Sequence, residues 1–318
     1  MLALALLPSL ARSDEAGDIT LRWETSFSRA LERAGKEKRL LVVDFWRDNC
    51  VYCTRMDMET FKDPRVIQLL TNYVPARIKN TEHPAEIERY KVDGYPTLAL
   101  IDEKGNPIEV FAGFQPPGEF ISWLATTADR HSRYQEIEAR IAKDPSDLAA
   151  RLALGKLYSG DGRREKAREQ LQALIGADPT GKRFETGEAH LEIGLTWRRS
   201  REYRRAAEAI SKAREIALAI SAAPPAKAPA DFLDRTLYEL GVTHLLAGSR
   251  KELVATLEEY DARVTKPDAR RHPWVLLQLG QARRKEGAHE AAKRAFQRCD
   301  ELYPRSPEAR ESREELQK

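Results

Sequence analysis

Cysteine is scarce, with three in 318 residues. That alone excludes a fold stapled by several disulfides. Cys50 and Cys53 form one Cys-x-x-Cys pair, and Cys299 stands apart. No second Cys or His pair lies at ligand spacing, which argues against a four-ligand zinc site. An excess of one charge is also lacking. Lys and Arg number 53 against 50 Asp and Glu, a net charge of +3, and the two signs are interleaved. Nucleic acid therefore has no electrostatic case, and a solvated helical surface accounts for the charge. Long apolar runs are missing too. Met1 to Leu10 reads MLALALLPSL, too short to span a bilayer as a helix. Ala11-Arg12-Ser13 follows it as a small-residue cleavage site. Residues 1–13 are thus expected to be a cleaved signal, giving a soluble periplasmic or secreted protein. No basic residue precedes the run, so the alternative is a tail on a cytoplasmic protein. The sequence leaves open whether Met1 is the native start.

The pattern predicts two domains, an α/β domain over 14–130 and an all-α domain over 148–318. Trp23 to Arg39 has helical spacing, with Trp23, Phe27, Ala30, Leu31 and Ala34 on one face. Leu40 to Trp46 is apolar except for Asp44, as in a strand buried on both faces. A helix follows from Cys50 through Met58 and resumes after Asp63-Pro64. Val74 to Lys79 is a strand and Pro84 to Val92 a short helix. Thr97 to Asp102 and Ile108 to Phe114 form a hairpin around Glu103 to Asn106, and Pro117 to Thr127 opens a further helix. The order α-β-α-β-α-β-β-α implies a mixed sheet flanked by helices.

From about His131 no strand signal remains. Residues 131–147 read as a linking helix, and four similar units follow near 148–179, 187–220, 234–267 and 273–304. Each opens on a helix with a Leu-Gly or Ile-Gly pair: Leu154-Gly155, Ile193-Gly194, Leu240-Gly241 and Leu279-Gly280. Larger residues recur at fixed offsets, among them Leu171, Ile210, Leu257 and Phe296. The Gly allows two antiparallel helices to pack closely, and the large residues fill the space between them. This pattern resembles the tetratricopeptide repeat, which implies a helical solenoid that binds a protein or peptide. Ala222 to Ala230 reads as a Pro/Ala-rich connector, and Glu308 to Leu316 as a polar capping helix.

A lone Cys-x-x-Cys is weak evidence. Here the pair directly follows a buried strand and opens a helix, where free N–H groups favour a thiolate at Cys50. Cys53 lies one turn on, within reach of a mixed disulfide. Asp44-Phe45-Trp46 with Cys50 and Cys53 resembles the thioredoxin fold family, as does Gly94-Tyr95-Pro96-Thr97 downstream. The likeness covers residues 21 to 128. It implies thiol–disulfide exchange on protein substrates, with Cys50 as nucleophile and Cys53 as resolving thiol. It implies a proton-transferring Asp44 facing a basic Arg77, and a cis Pro96 lining the substrate groove. Trp46, Tyr52, Tyr95 and Thr97 would support the site. Exchange itself needs no cofactor and no metal. Asn49 and the Val51-Tyr52 dipeptide depart from typical thioredoxins and leave the direction of electron flow open. Cys50 to Val74 looks more like the periplasmic, reductase-type members.

Blander readings stand beside these. The Cys pair could be a static disulfide or a metal site, Asp44 a solvated strand end, and Tyr52 an exposed aromatic without contacts. Cys299, Tyr158, Trp197 and Phe296 are expected to be packing residues. The whole could also be a repeat-based binding adaptor whose redox domain is regulatory or inactive.

Overall fold

In the computed structural model, residues 21–178, 180–222 and 228–318 are described. The candidate signal over 1–13, Pro179 and part of the Pro/Ala connector lie outside them. The chain divides into two compact units at Arg133/Tyr134.

The first unit is built on a four-stranded sheet. The helix α1 (Phe27–Glu37) leads into β1 (Leu41–Trp46), and the short α2 (Val51–Arg55) follows. A single wide π-helical turn over Met56–Thr60 joins α2 to α3 (Pro64–Leu70). Then come β2 (Val74–Lys79), α4 (Pro84–Arg89), β3 (Thr97–Ile101), β4 (Pro107–Ala112) and the start of α5 (Pro117–Lys143). The strand order is β2-β1-β3-β4. β1 pairs parallel with β2 through the α2–α3 crossover, and antiparallel with β3. β3 and β4 are the expected hairpin. Its turn holds because Gly105 takes φ +83° and the Asp102 carboxylate accepts from the N–H groups of Lys104 and Asn106.

Alternation along β1 sorts its side chains onto two faces. Leu41, Val43 and Phe45 join Phe27, Ala30, Ala34, Ile78 and Tyr90 on one side. Val42 joins Met56, Val66, Leu70, Leu98 and Phe120 on the other. Each large side chain buried in this way contributes roughly 1.5–3 kcal/mol. By the same alternation Asp44 lies on the Val42 face.

One expectation needs correction. Trp23 is not on the first helix. Glu24 bridges Ala76 as an extended residue, and Ser26 caps α1. Trp23 therefore packs edge-on against Phe61 at 4.7 Å in the second cluster. Backbone pairing to β2 overrides the helical spacing of its side chain.

The second unit is helical. Residues 131–143, expected to link the domains, are the C-terminal part of α5. There Tyr134, Ile137 and Ile141 pack on Leu154, Tyr158 and Ala167. Four helix pairs follow: α6 (Leu148–Gly160) with α7 (Arg164–Ala177), α8 (Phe184–Arg199) with α9 (Tyr203–Ala222), α10 (Phe232–Ala247) with α11 (Arg250–Arg263), and α12 (His272–Lys285) with α13 (His289–Leu302). α14 (Pro307–Leu316) closes the unit. The glycine argument holds at each pair. A Cβ added at Gly155, Gly194, Gly241 or Gly280 would come within 3.0 Å of Leu171, Ile210, Leu257 or Phe296, the same offset along the chain each time. Cys299 is fully buried, and its thiol donates to Pro273 O at 3.5 Å. Tyr158 and Phe296 are likewise buried, and Trp197 packs partly covered against the cluster of Leu171 and Ile193.

Candidate functional site

Cys50 ends the loop after β1 and is the N-cap residue of α2. Its Sγ accepts from the Cys53 N–H at 3.1 Å, and its carbonyl accepts from the Thr54 N–H at 3.0 Å. Asn49, at φ +53°, turns the chain into the helix; Asn tolerates that left-handed region better than most residues. Cys50 and Cys53 are joined as a disulfide. Exposure separates the two sulfurs' residues: Cys50 is 9% exposed and Cys53 3%. Between them, Val51 and Tyr52 point outward, at 73% and 56% exposed.

Asp44 is fully buried on β1. In the parallel register it sits opposite Arg77, whose Nε donates to Asp44 Oδ2 at 3.1 Å. The other carboxylate oxygen, Oδ1, has no hydrogen-bond partner among the described residues. Burial disfavours its charge and raises its pKa to about 6. The Arg77 guanidinium pulls the other way, and Asp57 adds to the rise. Arg77 is shared. It reaches Asp57 with an ion pair of 2.9 Å and lies over the Trp46 ring at 5.1 Å. Lys79 covers the same indole at 5.4 Å and pairs with Asp48 at 2.9 Å. Trp46 is thus a platform for two cations at the end of β1.

The Tyr95–Pro96 peptide is cis. Phe45 pairs with Thr97 across β1 and β3, so Pro96 lies at the sheet end from which the cysteine loop departs. The Thr97 hydroxyl donates to Gly94 O at 2.8 Å and closes that loop. Arg47 lies 5.8 Å from the Tyr95 ring centroid. Most residues picked from the sequence therefore gather at one sheet end. Tyr52 is there too, 56% exposed. Sequence reasoning missed Asp57, Arg47 and Lys79. Asp57 had a readable signal, since it falls one helical turn beyond Cys53. The groupings of Lys79 with Asp48 and of Arg47 with Tyr95 depend on strand register and loop path. Among the described residues no group of three His, Cys, Asp or Glu converges as a metal site. No helix among them is long and apolar enough to cross a membrane.

Known protein families match each of the two units. Residues 27–128 match the thioredoxin-like domain family. Residues 127–193 and 274–306 match tetratricopeptide repeat families. The thiol:disulfide interchange protein DsbD of Haemophilus influenzae (strain 86-028NP) is 32% identical over 91 residues, covering 27% of this chain and 16% of DsbD. This chain therefore spans about a sixth of that relative's length. A thioredoxin from Thermus thermophilus is 29% identical, with a TM-score of 0.32, covering 34% of this chain and 87% of its own. The C-terminal domain of Neisseria meningitidis DsbD in its reduced form is 27% identical, with a TM-score of 0.29, covering 31% of this chain and 92% of its own. The chain carries a thioredoxin-like domain followed by tetratricopeptide repeats.

Proposed function

We propose that this protein is a thiol–disulfide oxidoreductase acting on protein substrates, with the helical unit capturing a protein partner. The observation that carries the reading is the Cys50–Cys53 disulfide at the start of α2, directly after a strand that holds a fully buried carboxyl, Asp44. In the reducing direction the Cys50 thiolate attacks one sulfur of a substrate disulfide. A mixed disulfide forms and one substrate thiolate leaves. Cys53 then attacks Cys50 Sγ, the second substrate thiolate leaves, and the Cys50–Cys53 disulfide closes. Run backwards, the same steps oxidise a substrate dithiol. Cys50 is assigned the attacking role because it is the more exposed of the two. Asp44 is assigned the proton of Cys53: it is the buried carboxyl of the strand that leads to the cysteines, and its unpartnered Oδ1 and pKa near 6 let it cycle at ordinary pH. Pro96 and the exposed Val51 and Tyr52 would line the substrate groove. The exchange consumes no cofactor. The apolar opening Met1 to Leu10 supports a periplasmic or secreted setting, where disulfide substrates occur.

Insulin reduction by dithiothreitol tests the enzyme reading. The wild type should accelerate precipitation of the insulin B chain, and Cys50→Ser should not. Equal behaviour would end the redox reading and leave the adaptor reading, which needs no thiol.

A further inference from the structure

The helical unit has a cleft between its third and fourth helix pairs, about 190 Å³ in volume. Leu245 of α10, Leu253 of α11 and Ala282 of α12 form an apolar wall. Leu245 stays 40% exposed, and the adjacent Leu246 is 50% exposed. The polar lining is made of Gln278, Gln281, Arg250, Lys285 and His244, and all of them carry donors. No carboxylate lines the cleft. Of the acids nearby, Glu311 accepts from the Gln281 side-chain amide at 2.7 Å, and Glu252 belongs to the adjoining groove that His244 also borders.

The cations at the mouth differ from their neighbours. On α12, Arg283 is held by Glu258 and Glu286, and Arg284 by Glu315. Lys285, next in sequence, has no ion pair among the described residues, and neither has Arg250 across the cleft. Two unpaired cations beside an exposed leucine make a surface that favours negative charge next to an apolar group. We propose that this cleft receives an acidic, leucine-bearing segment of a partner protein. Its carboxylates meet Arg250 and Lys285, its amide groups meet Gln278 and Gln281, and an apolar side chain covers the exposed Leu245. The proposal rests on the reading of the helical unit as a partner-capturing one, and it gives that capture a place and a charge sign.

The test is fluorescence anisotropy on the full chain. The probe is a short labelled peptide of alternating glutamate and leucine. Counterparts carry glutamine or lysine in place of glutamate. The glutamate peptide should bind more tightly than the glutamine one, and the lysine peptide should bind least. Its affinity should fall as salt screens the contact. The double variant R250E/K285E should weaken it about tenfold or more, and R250Q/K285Q by less. Both side chains are exposed, so both variants should keep the wild-type melting curve. Equal binding of all three peptides, an unchanged affinity in R250E/K285E, or no binding of the glutamate peptide would each overturn the proposal. Partner capture that survives R250E/K285E would end this site while sparing the capture reading. Loss of insulin reduction would leave the peptide result untouched, because no cysteine takes part.

Discussion

Asp44→Asn is the substitution whose outcome can be worked out most fully. The carboxyl is buried without water contact, and its Oδ1 lacks a partner. Its pKa rises from 3.8 to about 6, with desolvation as the main cause. The folded protein therefore holds this proton more tightly than the unfolded chain. Stability must fall as pH rises from about 4 to about 6, and the cost is fully present above that. A rise of this size corresponds to about 3 kcal/mol. The figure already contains the help of Arg77, since that attraction opposes the rise. Asn has the shape of the neutral carboxyl, so the variant approximates the protonated protein at every pH. In urea unfolding of the oxidised chain, wild type and Asp44→Asn should be nearly equal at pH 4. At pH 8 the variant should be more stable by up to about 3 kcal/mol. The same variant should slow insulin reduction, since it removes the proton acceptor proposed for Cys53. A variant no more stable than wild type at pH 8, or an advantage that does not shrink toward pH 4, would refute the reasoning.

Further outcomes follow from the same geometry. Asp57 raises the pKa of Asp44, so Asp57→Asn should lower it; the pH at which the wild type loses stability should move down, as read by the same unfolding series. Gly194→Ala would push a Cβ against Ile210 and to 3.0 Å from the backbone carbonyl of Ala206, which cannot swing away. It should cost about 1–3 kcal/mol of stability in the helical unit. Gly176→Ala, in α7 with nothing within 4 Å, should be neutral or stabilising by up to about 1 kcal/mol. Glu188 is fully buried and holds both Lys156 of α6, at 2.5 Å, and Arg235 of α10. Glu188→Gln should destabilise the helical unit by about 2 kcal/mol, less than for a pair buried on both sides because the two cations keep some solvent. Thermal unfolding of the purified variant checks it.

The features legible in the sequence were those that local physics dictates. Glu103 to Asn106 between two apolar runs marked the hairpin, because Gly105 and Asn106 are residue types that turns favour. The Leu-Gly and Ile-Gly pairs marked the helix contacts, because a side chain at Gly155 or Gly280 would collide with Leu171 or Phe296. Asp44 stood out as a charge within an apolar strand. The parts that were not legible depend on contacts distant in sequence. Trp23 fitted the spacing of α1, but Glu24 pairs with β2 and draws it to the opposite face of the sheet. The wide turn at Met56–Thr60 carries no glycine or proline to announce it. The link from Arg77 to Asp57 follows from β1–β2 register and from where that turn sets Asp57 down. The stretch after His131 has amphipathic spacing either as a linker or as a packed helix. Only the contacts of Ile137 and Ile141 with Leu154 and Tyr158 distinguish the two.

The central claim is that Cys50 attacks and Cys53 resolves. Trapping with Cys53→Ala tests it most directly. With the resolving thiol removed, Cys50 should accumulate mixed disulfides with client proteins, visible on non-reducing gels and mapped to Cys50 by mass spectrometry. The Cys50→Ala chain should trap none. Adducts that form equally on both variants, or on neither, would contradict the account.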